Sequence, residues 1–325
     1  MADIVILLAA ILPTAAYVGL IYWADRYEKE PIWLLSATFL WGAVPSIFVA
    51  IVLNELLSIP FTSLLDESLV DVASAAIVAP LVEETAKGAA LLAIFFYRKR
   101  DIDSLLDGII YGAMVGLGFA MVENFLYFEG EYASGGYQAL GINVFFRAFL
   151  FGLNHALFSA ACGLGVAYAR LNRSELRRLL APPAGWAVAV TLHALHNATV
   201  GLGNALCLLA PLSDWGGVIL TGLIVAWALR QEQQWLTEYL KEEVVMGTIT
   251  FRQYELVSDW AAQRMQFADM MSHWQFGRIR RTRHFLNLCA KLASQKHHAE
   301  LHPEDEHVEI IQDLRKQIHE LSLQL

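Results

Sequence analysis

AIVAPLVEETAKGAALLAIFF, residues Ala76 to Phe96, reads as a membrane-spanning pattern interrupted near its middle by two adjacent carboxylates, Glu83 and Glu84, and an amine, Lys87. A charged side chain at the bilayer centre costs roughly 2.5–3.5 kcal/mol on insertion scales, so such residues usually face a bundle interior and act there. Glu83 and Lys87 are four apart and share a helix face; Glu84 lies about 100° further round. A structural ion pair accounts for one acid. Two carboxylates for one amine leave an acid over, and that excess points to chemistry.

Around this stretch the chain of 325 residues is 56% hydrophobic and 17% charged, with mean hydropathy +0.44. That is too apolar for a soluble protein of this length and implies several membrane spans. The net charge of −9, with no basic face evident in the sequence, argues against nucleic acid as a partner. Cys162, Cys207 and Cys289 fit neither a disulfide framework nor a CxxC metal site and read as small apolar fillers.

The apolar runs predict seven spans: Ile4 to Trp23, Ile32 to Leu56, Val70 to Tyr97, Leu105 to Phe128, Gly141 to Tyr168, Ala184 to Leu209 and Trp215 to Leu229. Met1-Ala2-Asp3 offers no basic n-region, so the first run reads as an uncleaved span. Arg26 and Lys29, then Arg98, Lys99 and Arg100, then Arg170, Arg173, Arg177 and Arg178 fill the odd loops. The even loops, residues 58–69, 129–140 and 210–214, hold Asp66, Glu67, Glu129, Glu131 and Asp214 and no Lys or Arg. The positive-inside rule then puts the N-terminus outside and the C-terminus in the cytoplasm, in a plasma-membrane protein.

From Arg230 the composition turns polar, with helical periodicity at Leu236, Tyr239 and Leu240 and again at Ile310, Leu314, Ile318 and Leu321. The expected organisation is a transmembrane domain over 1–230 and a cytoplasmic helical extension over 231–325, a surface for self-association. The histidine-rich run from His297 through His302 to His307 reads as a solvated linker rather than a metal site. The fold class is all-α: a polytopic helix bundle with a helical tail.

Three histidines lie inside predicted spans: His155, His193 and His196. Glu123, Asn124 and Asn197 join them. At about 1.5 Å per residue, Glu83 and His155 lie roughly 20 Å from the cytoplasmic ends of their spans, His193 to Asn197 about 14–20 Å, and Glu123 about 27 Å. Residues of four helices can meet in one cavity at those depths. His193, His196 and Asn197 stand at i, i+3 and i+4 and project from one face. Phe119 and Glu123 are also four apart, after Gly112, Gly116, Gly118 and Ala120, a small-residue run that lets helices approach closely. Asn124 and Ser159 read as polar glue, and Arg147 as snorkelling outward or pairing with an acid, with no assigned role.

Hydrolysis of a peptide bond needs a water, a base and donors for the tetrahedral oxyanion. Glu83 or Glu84 suits the base, Glu123 and His155 the polarisation of water or substrate, and His193 and Asn197 the oxyanion. Lys87, Phe119, Asn124 and His196 would support them. The same atoms suit Zn²⁺, held by Glu83, Glu84, Glu123, His155 and His193 with a position open for water. The absence of HExxH lowers the zinc reading, so the expectation is no metal cofactor.

EETAK at 83–87, FAMVEN at 119–124, NHALFSAACG from Asn154, HALHN at 193–197 and the loop DRYEKEP at 25–31 resemble the motifs of PrsW-type intramembrane proteases, within the superfamily of CAAX prenyl endopeptidases and their bacterial relatives. The resemblance covers roughly residues 1–230. It implies a multi-span membrane peptidase, glutamate-dependent or metal-dependent, that makes the first cut in a membrane-anchored protein, such as an anti-sigma factor, on its extracytoplasmic side. By motif, Glu83 and Glu84 match the acidic pair, Glu123 the second motif, His155 the third, and His193 with Asn197 the fourth. The CAAX pattern has a His where this chain has Glu123. Two rivals use the same residues differently: a transporter relaying protons through Glu83, Lys87, Glu123 and the histidines, and a scaffold binding partners through its tail.

Overall fold

The computed structural model describes residues 1–62, 66–201, 208–301 and 305–325. Cys207 and His302, both read above from sequence, lie outside the described residues. Among those described, every regular element is a helix. The chain divides into two compact units: Met1–Ala24 with Glu30–Val225, and Asp25–Lys29 with Ala226–Leu325.

The first unit begins with α1 (Ala2–Ala24), α2 (Ile32–Trp41) and α3 (Ile47–Thr62); a π-helical turn, Gly42–Ser46, joins the last two. The short α4 (Glu67–Ala73) passes through a second π turn, Ser74–Val78, into α5 (Ala79–Tyr97). Then come α6 (Leu105–Val144), a third π segment at Phe145–Leu150, α7 (Asn154–Leu171), α8 (Glu175–Gly201) and the start of α9 (Leu209–Val245). Ser104 caps α6 by accepting from the Asp107 backbone, while the Asp107 carboxylate takes the backbone N–H of Ser104.

Four helical stretches are long and apolar enough to cross a membrane: Ala2–Ala24, Ile32–Pro60, Leu105–Leu171 and Leu209–Val245. They contain the predicted first, second, fourth, fifth and seventh spans. The predicted third runs through the end of α4, the second π turn and α5; of the predicted sixth, residues 184–201 lie in α8 and residues 202–207 lie outside the described residues. Two predicted loops are corrected. Residues 129–140 are helical except at Gly136, whose φ of 64° only glycine adopts without strain, and residues 210–214 fall within α9. The predicted fifth span is interrupted at residues 151–153, so His155 sits in the first turn of a new helix.

α6 and α7 form the centre. Gly108, Gly112 and Gly116 recur every fourth residue on α6, and a Cβ on each would land on the backbone carbonyl of Gly163, Ser159 and His155 of α7 respectively. The lack of side chains is what lets these two backbones touch. α1 and α9 turn apolar side chains outward, among them Ile4, Leu8, Leu12, Ile219 and Leu223, as lipid-facing helices do.

The second unit packs the end of α9 with α10 (Phe251–Ser258), α11 (Trp260–Ser272), α12 (Phe276–Leu301) and α13 (Asp305–Ser322). Leu236, Leu240, Phe285, Cys289, Leu292, Leu314 and Ile318 form its core, and Tyr27 joins them. Sequence kept residues 25–29 with the transmembrane domain; Tyr27 and the Lys29 backbone, which donates to Asn287 Oδ1 at 2.6 Å, tie that loop to this unit instead. Burial pushes the Cys289 thiol up and holds the His297 imidazole below its ordinary value. His297 and His298 are not in a solvated linker: both lie on α12, where His297 stacks on Trp235 at 4.3 Å. Sequence showed no basic face, yet Arg278, Arg280, Arg281 and Arg283 are all exposed at the start of α12.

Candidate active site

Lys87 is the hub of the buried polar cluster. Its side chain is wholly enclosed, and its Nζ donates to Glu84 Oε1 at 2.7 Å and to His155 Nδ1 at 3.1 Å, with Glu83 Oε2 at 3.6 Å. The Phe119 ring closes the fourth side, its centroid 3.9 Å from the ammonium. Helix α5 thus presents both acids and the amine to α6 and α7, because Glu83, Glu84 and Lys87 fall within one turn of each other.

Lysine only donates, so His155 Nδ1 accepts and its Nε2–H points the other way. There it meets Glu123 Oε2 at 2.9 Å. The same oxygen takes Arg147 Nη2 at 2.5 Å, and Arg147 Nε donates to Asn124 Oδ1 at 2.9 Å. Arg147, left without a role on sequence, is the partner of Glu123; the π segment Phe145–Leu150 carries it.

On the other side, His193 of α8 lies 3.0 Å from Glu84 Oε1 through Nδ1. Its Nε2 stands 3.9 Å from Glu83 Oε2. That carboxylate oxygen is buried and has no hydrogen-bond partner among the described residues. A buried acceptor left unsatisfied costs about 1–3 kcal/mol, and here only the charge of the Lys87 ammonium at 3.6 Å offsets it. Ser159 donates to Glu84 Oε2 at 3.3 Å, and Phe158 stacks on His193 at 4.9 Å.

Glu83, Glu84, Lys87, Phe119, Glu123, Asn124, His155 and His193 are therefore brought together, with Arg147, Phe158 and Ser159 added. His196 and Asn197 are not part of that cluster. Asn197 donates its amide to the Ala75 carbonyl in the second π turn, at 2.8 Å. His196 lies 2.7 Å from Asp214 Oδ2 of α9, and Asn154 Nδ2 donates to the same oxygen at 2.9 Å. Asp214 was missed because it was read as a loop acid, and Asn154, quoted within NHALFSAACG, was given no role.

Glu83, His155 and His193 each offer one ligand atom, all within 4.8 Å of one another, the described group able to hold a metal ion. One carboxylate and two imidazoles are a donor set suited to Zn²⁺ with an open position. Glu84 and Glu123 border it, Glu84 Oε1 3.0 Å from His193 Nδ1 and Glu123 Oε2 2.9 Å from His155 Nε2, and are also engaged by Lys87 and by Arg147.

A family model described as "PrsW family intramembrane metalloprotease" matches residues 30–232. A "Protease PrsW" of Geobacillus kaustophilus is 30% identical over 233 residues, 70% of this chain and 90% of the relative. The "Protease PrsW" of Oceanobacillus iheyensis is 30% identical over 59% of this chain and 81% of its own. That of Bacillus subtilis is 31% identical over 53% and 72%. No solved structure matches.

Proposed function

We propose, for a chain that belongs to the PrsW family of intramembrane proteases, that Glu83 and His193 activate a water which hydrolyses a peptide bond of a membrane-anchored protein. The observation that carries this is the pair of acceptors facing each other: a carboxylate oxygen with no hydrogen-bond donor among the described residues, 3.9 Å from an imidazole nitrogen. A water bound between them donates one O–H to each, which leaves its lone pair directed at a substrate carbonyl.

As the water oxygen adds to the carbonyl carbon, its proton passes to the Glu83 carboxylate. The Lys87 ammonium, enclosed by Glu84, His155, Glu83 and Phe119, stabilises the oxyanion by its positive charge and not by a hydrogen bond to it. Collapse breaks the C–N bond, and Glu83 returns the proton to the departing amine. Glu84 stays ionised throughout, holding Lys87 on one side and His193 on the other. Glu123, neutralised by Arg147, fixes the His155 tautomer, so that His155 accepts from Lys87 and keeps the ammonium in place. Asn197, whose amide is spent on Ala75, tethers α8 in this scheme instead of serving the oxyanion.

A second reading is favoured by the clustering of Glu83, His155 and His193. Those residues would hold a Zn²⁺ ion, which lowers the pKa of a bound water. His155 would first have to release Lys87, because both its nitrogens are engaged.

By the charge pattern of the loops we place the N-terminus outside and the tail in the cytoplasm, and the cut on the extracytoplasmic side. An anti-sigma factor with a single span fits that substrate class. The test is cleavage of single-span reporters in proteoliposomes by wild type and by Glu83→Ala, Glu84→Ala, His155→Ala and His193→Ala. All four variants should insert and fail to cleave. Wild-type rates in all four would overturn the assignment.

A further inference from the structure

Between Asp269 and Glu300 the chain carries Arg278, Arg280, Arg281, Arg283, Lys291 and Lys296 and no Asp or Glu, in a protein of formal net charge −9. The four arginines fall in the first turns of α12 and are exposed there, while Ile279, Thr282 and Phe285 turn inward. Among the described residues no carboxylate lies within ion-pair distance of them; Arg278 reaches the Gln275 amide oxygen at 3.4 Å and Arg283 the Phe267 ring at 5.5 Å. Helix stability does not explain Arg278 in the first turn. The positive end of a helix dipole disfavours cations in the first turn and favours anions beside it.

Large apolar side chains stand exposed next to these arginines. Trp274, 77% exposed, occupies the turn into α12 with φ 55°, its ring 5.7 Å from that of Phe276. Met265 and Met271 of α11 are exposed beside them in sequence. Aromatic and methionine side chains left in water flanking guanidinium groups suit one environment in particular. At a lipid headgroup layer the rings enter the interface and the arginines reach phosphates.

We propose that the α11–α12 turn, residues 271–284, docks on the surface of an anionic bilayer, with Trp274 and Phe276 at headgroup depth and Arg278, Arg280, Arg281 and Arg283 on lipid phosphates. Chain connectivity supplies the surface. Residues Asp25–Lys29 belong to the same compact unit, and the helices on either side of them, α1 and α2, both lie in stretches long and apolar enough to cross a membrane. The unit is therefore tethered to the bilayer at that loop as well as through α9. This proposal needs the protein to be membrane-embedded and is independent of its peptidase chemistry.

The test is backbone hydrogen exchange of the full chain in nanodiscs, read by mass spectrometry over residues 271–284. Discs of phosphatidylcholine alone are compared with discs containing roughly a third phosphatidylglycerol. Exchange should slow about tenfold in the anionic discs. The slowing should disappear in about 0.5 M NaCl, where the Debye length falls to a few ångströms. It should also disappear in the Arg278→Gln, Arg280→Gln, Arg281→Gln triple variant, with residues 285–293 exchanging as in wild type to show an intact tail. Equal exchange of wild type in the two discs overturns the proposal, with no variant needed. Protection that appears in neutral discs on adding a short DNA duplex, or on raising protein concentration, also overturns it in favour of nucleic acid or a second copy.

Discussion

Glu83 Oε2 and His193 Nε2 face each other across 3.9 Å without a hydrogen bond, although the adjacent Glu84 is paired with both Lys87 and His193. Two neighbouring carboxylates thus have opposite environments. Glu84 accepts directly from Lys87, whereas Glu83 Oε2 stands 3.6 Å from that ammonium and has no hydrogen bond among the described residues.

Their substitutions should separate accordingly. Glu83→Gln removes the base and keeps the shape, so cleavage should fall about 10²–10⁴-fold with the unfolding temperature unchanged. Glu84→Gln leaves the enclosed Lys87 ammonium short of its closest counter-charge, and breaking such a pair costs about 3–5 kcal/mol. That variant should lose stability and activity together. Thermal unfolding in detergent beside reporter cleavage distinguishes them. If Glu84→Gln is as stable as wild type while Glu83→Gln is destabilised, the two roles are reversed.

Metal dependence turns on His155. Its Nδ1 takes a hydrogen bond from Lys87 and its Nε2–H gives one to Glu123, which leaves no lone pair for an ion. Purified wild type should therefore hold far less than one zinc per chain, and chelation should leave cleavage unchanged. Lys87→Met frees Nδ1 and should raise zinc content while abolishing cleavage. One equivalent of zinc in wild type, with activity lost on chelation and restored by zinc, would establish the metal reading instead.

The cluster was legible in sequence because charge inside an apolar run is expensive, and EETAK, Glu123, His155 and His193 all announce themselves that way. Spacing was less informative about direction. His193, His196 and Asn197 do share a helix face, but α8 meets different neighbours along it: Glu84 of α5, Asp214 of α9 and the Ala75 carbonyl. A face defined by periodicity is wide enough to serve three partners. Composition also misled at residues 129–140 and 210–214, where acids breaking the apolar pattern suggested loops. Acidic residues end a hydropathy window without ending a helix, and so Asp214 was read as a loop acid.

Gly116 makes a third prediction. A Cβ there would collide with the His155 carbonyl, a backbone atom that moves only if α7 moves. Gly116→Ala should cost about 1–3 kcal/mol through overpacking and should shift His155 off Lys87, with cleavage reduced by more than the stability loss explains. Gly130→Ala, with open space around its Cβ position, is the control and should cleave normally. Equal behaviour of the two variants in reporter cleavage would show that the α6–α7 contact does not hold the site.

Asp214 reaches the site through two residues it binds. Its Oδ2 accepts from Asn154, which precedes His155, and lies 2.7 Å from His196, one turn beyond His193. The Phe158 ring touches both imidazoles, stacked on His193 at 4.9 Å and tilted against His196 at 6.2 Å. Asp214→Ala removes the carboxylate that holds both the buried Asn154 amide and the half-buried His196 ring, leaves those two only each other at 3.0 Å, and lets His196 rotate away from Phe158. The rate constant for cleavage should fall about tenfold or more with KM unchanged, because substrate binding is untouched while His155 and His193 lose their placement. Asp214→Asn keeps an acceptor at the Oδ2 position and should recover most of that rate. A change confined to KM, or an Asn variant no better than Ala, would mean that the carboxylate acts on the substrate rather than on the two histidines.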